Sequence, residues 1–381
     1  MKKSFTLLTM LVFIWNSNQA LAQESAPGSL SLSGSVDVYY RVNLNARNAG
    51  DEYQVPATSF ANLPGFSLGM INFTASYQAD KGGFVTDLVF GPRGEDAVFA
   101  SPYYNEGRGS SQIINQLYVY WNATDKLTLS MGNFNTFLGY EVISPAANFN
   151  YSTSYMFSYG PFSHTGIRAD LKFSDQFSVM ASLMNPTDLT EFNPLGTYTA
   201  GLQFALFGST YINFLYGDQD GKLDRNTHDI DDVSAGNTLQ IDLTAGLDLH
   251  EKIFLGFNAT YNTTSSGEVL TSDAVEALEA EGAGFYGAAT YLQFRLGESY
   301  SVGSRLEYFK VYNSGLDIVN LDSSGDGEVL GLTLSGNARV GNLTLIPELR
   351  LDITSQESFL NKDMEPSKTL SSILIAAVYA F

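Results

Sequence analysis

The sequence predicts an all-β protein, a single-domain transmembrane antiparallel β-barrel of about 16 strands. Three features of the chain support this fold class. Alternating apolar and polar residues recur in many segments, short connections alternate with long ones, and the chain ends on an apolar strand. The alternating segments have about the length that a tilted strand needs to cross a bilayer.

The last segment, residues 369–381, is the clearest of these strands. Counting back in twos from Phe381 places Tyr379, Ile375 and Ile373 on one face, with smaller residues on the other. A long apolar strand at a sheet edge would template aggregation, whereas a closed barrel pairs it with the first strand. A terminal aromatic strand also resembles the assembly signal of outer-membrane barrels, so Phe381 is expected to contact the barrel-assembly machinery. The alternative is the closing strand of a soluble β-sandwich.

Residues 1–22 have the features of a cleaved signal peptide. Two lysines are followed by an apolar run from Phe5 to Trp15 and by Ala20-Leu21-Ala22, a small-x-small cleavage site. The apolar run is too short to span a bilayer as a helix. The mature barrel is therefore expected to comprise residues 23–381 and to lie in the outer membrane, and without cysteine it forms no disulfides.

The composition agrees with strands that are apolar outside and polar inside. Hydrophobic residues make up 44% of the chain and aromatic residues 13%, yet the mean hydropathy is −0.04. The formal net charge of −20 argues against nucleic-acid binding, which needs a basic surface. Acidity alone identifies no ligand, because it commonly serves to keep exposed loops soluble.

Sixteen alternating segments follow one another along the chain. They lie near 30–43, 66–79, 82–91, 112–123, 125–137, 161–174, 176–186, 197–208, 210–217, 237–250, 252–264, 283–296, 298–311, 328–340, 342–354 and 369–381. The connections between them are alternately short and long. This alternation is typical of a barrel with tight periplasmic turns and long extracellular loops, and an even strand count places both termini on the periplasmic side.

The two faces of the strands can be assigned from the alternation. In the segment 342–354 the odd positions are apolar, while Glu348, Arg350 and Asp352 occupy even positions. The apolar face must contact lipid, because a charge at the bilayer midplane costs about 2–4 kcal/mol. The other face lines the lumen, and unpaired charges there cannot be buried dry, so the lumen is expected to hold water. Other lumenal candidates are Arg168, Asp170, Asp242, Arg305 and Glu307.

The third long loop, residues 139–160, differs from the other connections. It contains one acid, Glu141, no base and many aromatic residues. This composition predicts a loop folded into the lumen that narrows the pore and sets Glu141 against Arg168, Arg305 or Arg350. Facing acidic and basic walls would then set a size limit and a transverse field. The alternative is an aromatic loop that only caps the barrel rim.

Short motifs at fixed offsets are concentrated in residues 110–190. They are Met131-Gly132-Asn133-Phe134, Gly139-Tyr140-Glu141, Asn150-Tyr151-Ser152, Tyr155-Met156-Phe157, Gly160-Pro161-Phe162-Ser163-His164-Thr165-Gly166-Ile167-Arg168 and Met184-Asn185. In these motifs the chain resembles the OmpL-like β-barrel porin-2 family of Gram-negative bacteria. The resemblance implies an outer-membrane channel for hydrophilic solutes, without a transported substrate assigned to particular residues.

Catalytic chemistry has little support in the sequence. The histidines His164, His228 and His250 lack the spacing of metal ligands. His164 falls on the lumenal face and is expected to hydrogen-bond the third loop in a structural role. A hydrolase needs a nucleophile beside a base and an orienting group, and no such motif is present. The chain is therefore predicted not to be an enzyme and to need no cofactor.

Two acidic stretches resemble calcium loops. One contains Asp218, Asp220 and Asp224, and the other spans residues 322–328. Neither has the complete EF-hand spacing, so a solvated acidic loop is the preferred interpretation. A capping-box pattern at Asp273 predicts a short helix in the sixth long loop.

The predicted function is a porin, a water-filled channel for passive diffusion of small hydrophilic solutes across the outer-membrane bilayer. The alternative is a barrel that displays extracellular loops for surface binding or adhesion. A passive channel favours a charged lumen, and a transporter of hydrophobic solutes would favour an apolar one. The sequence leaves open the solute, the preference for anions or cations, and whether the chain forms a homo-oligomer.

Overall fold

A computed structural model describes residues 28–60, 62–98, 112–190, 198–207, 209–217, 236–267, 269–270, 275–276 and 282–381. In this part of the chain, 16 antiparallel strands form a closed barrel in which each strand pairs with its sequence neighbour among the barrel strands. The predicted fold class is confirmed. The predicted signal peptide and the calcium candidates Asp218, Asp220 and Asp224 lie outside the described residues.

The observed strands match the sixteen predicted segments to within two residues at every end. They are β1 (Ser29–Asn43), β2 (Gly65–Ala79), β3 (Gly82–Phe90), β4 (Ile114–Asn122), β5 (Leu127–Asn135), β6 (Ser163–Ser174), β7 (Phe177–Met184), β8 (Thr199–Leu206), β9 (Ser209–Gly217), β10 (Thr238–His250), β11 (Ile253–Thr264), β12 (Ala283–Arg295), β13 (Tyr300–Tyr312), β14 (Gly327–Val340), β15 (Leu343–Thr354) and β16 (Thr369–Ala380). Short turns lie at one end of the barrel and long loops at the other.

The barrel closes between its first and last strands. β1 pairs with β16 from Ser35 opposite Ala380 to Asn43 opposite Ser372. Phe381 extends this pairing, because its backbone N–H donates to the Gly34 carbonyl at 3.0 Å. A Cβ at Gly34 would lie 2.9 Å from the Phe381 ring, so the close approach needs glycine. The terminal strand therefore leaves no free sheet edge.

The strand alternation separates an apolar outer face from a polar inner wall. In β15, Glu348 and Arg350 point inward and are buried, while Leu349 and Ile353 are exposed on the outside. On the outer face of β2, Phe66 is 91% exposed, as a lipid-facing residue is expected to be. The described residues contain no helix of sufficient length and apolarity to cross a membrane.

The remaining elements are short and lie in the long loops. They are α1 (Pro92–Ala97), α2 (Tyr155–Tyr159) and a 3₁₀ turn (Pro145–Ala147). Ser154 caps α2 by accepting the N–H of Phe157 at 3.1 Å. The helix predicted at Asp273 begins outside the described residues. In the described part of that loop, Val269–Leu270 pairs with Val275–Glu276 as a two-stranded ribbon. A second ribbon joins Phe359–Leu360 to Pro366–Ser367.

Candidate functional site

The third loop contacts the inner wall of the barrel over a wide arc. Its residues reach side chains of β10, β13, β14, β15 and β1. It also supplies buried residues to three hydrophobic clusters, among them Tyr151, Tyr155 and Phe157. Much of the barrel's core is therefore formed between this loop and the inner wall.

An ion pair lies at the centre of these contacts. Arg305 Nη1 of β13 lies 2.5 Å from Glu141 Oε1, and Arg305 is only 2% exposed. The guanidinium also donates to the carbonyls of Ser152 and Thr153 at 2.7 and 3.1 Å. Of the three arginines that the sequence offers to Glu141, Arg305 is the one that it contacts. A buried pair with these extra hydrogen bonds fixes one loop geometry.

Two lumenal glutamates bind the loop backbone. Glu307 accepts the N–H groups of Tyr155 and Met156 at 3.0 and 2.8 Å. Glu348 accepts the N–H groups of Tyr151 and Ser152 at 2.9 and 3.2 Å. Hydrogen bonds to carboxylates are stronger than those between neutral groups. They also satisfy backbone donors that the loop, having no sheet partner, would otherwise bury unpaired.

Arg350 and Asp352, two residues apart on the inner face of β15, form a second ion pair. Arg350 Nε lies 2.9 Å from Asp352 Oδ2. The same guanidinium donates to the carbonyl of Thr153 at 2.9 Å and to the hydroxyl of Thr58 at 3.2 Å. It therefore joins the first and third long loops to the wall.

Asp242 of β10 holds the beginning of the third loop. Its carboxylate accepts the N–H of Gly139 at 3.0 Å and the side-chain amides of Asn213 and Asn258 at 3.0 and 2.7 Å. All three donors are neutral. Asp242 is fully buried by this arrangement.

Arg168 and Asp170 of β6 form the accessible ion pair of the inner wall. Arg168 Nε and Nη2 bind the two carboxylate oxygens at 2.7 and 2.8 Å, and the guanidinium lies 5.6 Å from the centre of the Phe134 ring. The side chains are 23% and 33% exposed, unlike the pairs under the third loop. Among the contacts of the described residues, this pair does not touch Glu141.

Two expectations about the lumenal charges need correction. Arg168, Arg305 and Arg350 each pair with a carboxylate, so these charges do not make the separate acidic and basic walls predicted from the sequence. The charges under the third loop are also buried against protein and not held in water. Burial is tolerated there because each charge has hydrogen-bond partners.

His164 lies beside the residue that leads into the third loop. Its Nε2 is 3.0 Å from the hydroxyl of Thr136, and its ring centre lies 5.2 Å from that of Phe137. The side chain is fully buried. These contacts are with Thr136 and Phe137, on the approach to the loop.

Arg93 of α1 is a contact residue that sequence reasoning missed. It is buried, donates to the carbonyl of Ile143 at 2.9 Å, and lies 4.8 and 5.1 Å from the ring centres of Phe60 and Tyr151. These contacts join the first three long loops. A single arginine in a long polar loop gives no sequence signal for such a role.

Strand glycines provide space for third-loop side chains. A Cβ at Gly256 would lie 2.6 Å from Cζ of Tyr140, and a Cβ at Gly303 would lie 2.6 Å from Cε1 of Phe149. At Gly69 it would clash with the Asp37 carboxylate that Tyr151 binds. A glycine inside a strand often marks a close approach, so a sequence signal for these positions existed.

In the acidic stretch 322–328, two of the three acids pair with one lysine. Lys310 Nζ lies 2.9 Å from Asp326 Oδ2 and 3.4 Å from Glu328 Oε1. Hydrogen bonds from Ser324 and from the backbone of Asp326 lower the pKa of Asp322. Within the described residues, no group of three or more metal-ligating side chains could hold an ion.

The fold places the chain in a class of proteins. A closed 16-stranded barrel with an apolar outer face, a charged inner wall and a loop against that wall defines an outer-membrane porin-type channel. Residues 29–381 match the beta-barrel porin-2, OmpL-like family, and the chain belongs to that family. The resemblance drawn from the motifs is therefore confirmed, and the family and the fold support an outer-membrane channel.

Solved structures with the same fold come from several bacteria. The anion-selective porin from Comamonas acidovorans matches with a TM-score of 0.56 and 11% identity, covering 93% of this chain and 100% of that chain. Salmonella typhi OmpF in complex with daunomycin gives 0.54 and 11%, covering 93% and 98%. Outer-membrane expressed OmpT of Vibrio cholerae gives 0.53 and 12%, covering 94% and 99%. No curated protein matches the sequence significantly.

Proposed function

We propose that this channel is a narrow, water-filled pore through which small hydrophilic solutes diffuse passively down their gradients. The observation that carries the proposal is the inner wall of a closed barrel, lined with ionisable side chains and partly covered by residues 139–160. Charges on the uncovered part of the wall require water. Because the wall is a continuous hydrogen-bonded sheet, it needs no moving part to conduct.

The solute path is proposed to run along the wall that the third loop leaves accessible. The loop covers strands from β10 round to β15 and β1. On the opposite arc, Arg168 and Asp170 of β6 remain partly exposed. This divides the lumenal residues into two roles. Arg168 and Asp170 line the path, whereas Glu141, Asp242, Arg305, Glu307, Glu348 and Arg350 hold the loop that sets its width.

Conductance of the mature chain, Gln23–Phe381, in a planar lipid bilayer tests the proposal. Steady single-channel openings that carry small ions and are blocked by larger sugars are expected, because the loop narrows the lumen. Absence of openings from correctly folded barrels would contradict the proposal. It would favour the alternative function, a barrel that displays its loops for surface binding or adhesion.

Arg168→Ala is expected to shift the reversal potential towards cations, because it leaves the accessible carboxylate of Asp170 without its partner. Asp170→Asn should shift it the opposite way, and the double variant should return near the parent value. The barrel should keep its stability, since a partly exposed pair contributes about 0–1 kcal/mol. Reversal potentials under a KCl gradient measure the shifts. If both single variants have the reversal potential of the parent, the solute path does not run along β6.

The C-terminal strand is proposed to be the contact for the barrel-assembly machinery. Phe381 is 51% exposed while its backbone is paired with Gly34, so the ring is available to a partner. Phe381→Ala is expected to lower the fraction of assembled barrel in cells, measured by heat-modifiable mobility on gels. Tyr379→Ala, on the same exposed face, is the matched control for lost aromatic area. An unchanged assembled fraction in Phe381→Ala would contradict the proposal.

Self-association is also proposed, on the outer face of the barrel. A solved structure of the trimer form of in-vitro folded Vibrio cholerae OmpT shares this fold, with a TM-score of 0.52 and 11% identity. Crosslinking in intact membranes would distinguish a homo-oligomer from a monomer.

A further inference from the structure

We propose that a small cavity between the third loop and the closing strands of the barrel binds a chloride ion. The cavity lies where β1, β15 and β16 meet the third loop and the first long loop, residues 44–64. The side chains that line it and bear on the proposal are Arg41, Asn62, Ser152, Glu348, Arg350 and Ser372. Two guanidinium groups therefore meet at one cavity where the barrel closes.

Arg41 is a buried cation that binds only neutral acceptors among the described residues. Its side chain is 2% exposed. The guanidinium donates to the backbone carbonyl of Asn62 and the side-chain carbonyl of Asn43, each at 2.8 Å, and to the carbonyl of Gln54 at 3.5 Å. A buried charge is costly unless it is paired. Arg41 is therefore the group that a bound anion would stabilise most.

The two guanidinium groups have hydrogen-bond donors to spare. Each guanidinium carries five N–H groups, and the three acceptors of Arg41 leave two of its N–H groups over. Arg350 uses four of its five, from Nε and Nη2 to Asp352 and from Nη1 to Thr58 and Thr153, which leaves one. Within the described part of the chain, three N–H groups therefore remain for a ligand in the cavity.

The hydroxyl of Ser152 is a fourth donor at the cavity. Ser152 is 4% exposed, and its Oγ has no hydrogen-bond partner within the described residues. Its backbone is held in place, because its N–H donates to Glu348 at 3.2 Å and its carbonyl accepts from Arg305 at 2.7 Å. A buried hydroxyl without a protein partner indicates a bound water or ion.

Glu348 also lines the cavity, but both of its oxygens are engaged elsewhere. Oε1 accepts the N–H of Ser152, and Oε2 accepts the N–H of Tyr151 and the hydroxyl of Ser335, both at 2.9 Å. Asp352 is bound in turn by the neighbouring guanidinium. The two arginines and these two carboxylates sum to zero charge. Hydrogen bonds, and not a net positive charge, would therefore hold the anion, and we expect weak binding.

The size of the cavity restricts the ligand to a single small species. Its volume of about 10 Å³ is that needed by one water-sized particle, which excludes carboxylate, phosphate and sulfate groups. Water is the alternative occupant, and Asn62 Oδ1, buried without a donor among the described residues, would accept one of its protons. A water molecule has only two lone pairs for the four donors, however, whereas a chloride ion can accept from all of them. The donor set therefore favours chloride.

A chloride ion at this position would join four parts of the molecule. Arg41 and Arg350 belong to the wall on either side of β16, Ser152 to the third loop and Asn62 to the first long loop. Unfolding separates these groups, so the ion binds only the folded barrel. Such a ligand stabilises the folded state in proportion to its concentration and affinity.

Urea unfolding of the mature chain, Gln23–Phe381, from lipid vesicles tests the proposal, with chloride replaced by gluconate at constant sodium. Gluconate is too large for the cavity. For one site with a Kd of about 0.05 M, raising chloride from about 0.05 to about 0.5 M should lower the unfolding equilibrium constant about fivefold. Ser152→Ala should reduce this effect to less than about twofold. Ser182→Ala is the matched control, because its hydroxyl is also buried without a partner in the described residues but lies on β7, and it should keep the full effect.

Crystals of the unaltered mature chain soaked in sodium bromide provide a second test that needs no variant. An anomalous-difference peak is expected in the cavity, within hydrogen-bond distance of Arg41, Arg350 and Ser152. A water molecule there without a bromide peak would overturn the proposal. A bromide peak combined with unfolding that is independent of chloride would show an adventitious ion only, and would also overturn it. An equal chloride effect in Ser152→Ala and Ser182→Ala would place the ion elsewhere. Conduction is not measured in either test, so these outcomes leave the porin function untouched.

Discussion

Replacing Arg305 by Met is expected to release the third loop and to destabilise the barrel by about 3–5 kcal/mol, the usual cost of removing one partner of a buried ion pair. The guanidinium is 2% exposed and donates to Glu141, Ser152, Thr153 and Thr333. Met fills similar volume but leaves the Glu141 carboxylate buried without its cation. Urea unfolding from lipid vesicles measures the stability, and single-channel conductance should increase because the pore is less restricted.

The double variant E141Q/R305M separates charge from packing. Removing both charges leaves no unpaired buried ion, so part of the lost stability should return. Lys310→Met is the matched control on the same strand, since the pair of Lys310 with Asp326 is partly exposed and its loss should cost about 1 kcal/mol or less. Wild-type conductance and stability in Arg305→Met would show that this pair does not hold the loop.

The strands could be predicted from the sequence because their signals are local. In β15 the alternation of leucines with Glu348, Arg350 and Asp352 assigns both faces within one segment. Turn residues then bound each strand, and a charge that faces lipid is excluded by its cost. The pairing of Arg168 with Asp170 is equally local, because residues two apart share a face of a strand.

The partner of Glu141 could not be predicted in the same way. Arg168, Arg305 and Arg350 are chemically equivalent candidates on the inner wall. Arg305 is 164 residues from Glu141 in sequence, and the path of the loop across the barrel decides which arginine it meets. That path depends on many contacts at once, including those of Arg93 from another loop. No local pattern encodes such a set.

The strand glycines were visible in the sequence but ambiguous. A glycine such as Gly303 can mark a bulge, a bend or a close approach of another group, and the pattern alone does not distinguish these. The structure places Phe149 against Gly303 and Tyr140 against Gly256. The aromatic residues of the third loop and the strand glycines opposite them therefore belong to one packing arrangement.

Gly256→Ala is accordingly expected to displace the third loop. The new Cβ would lie 2.5, 2.6 and 2.8 Å from Oη, Cζ and Cε2 of Tyr140, whose ring is stacked on Tyr291 with centres 4.1 Å apart. The stack on Tyr291 limits how far the Tyr140 ring can shift by itself, so the backbone of the loop is expected to move. Overpacking of this kind costs about 1–3 kcal/mol. Urea unfolding should show the loss, and conductance should change with it.

Two further variants decide whether the effect is steric. Gly297→Ala places a methyl group in the turn after β12, where nothing lies within 4 Å of the new Cβ, and should change stability by about 0.5 kcal/mol or less. In a Tyr140→Ala background, Gly256→Ala should cost much less than in the parent, because the ring that it clashes with is gone. If the losses of stability from the two substitutions were instead additive, the space at Gly256 would not be what accommodates the Tyr140 ring. The third loop would then be held by its polar contacts alone.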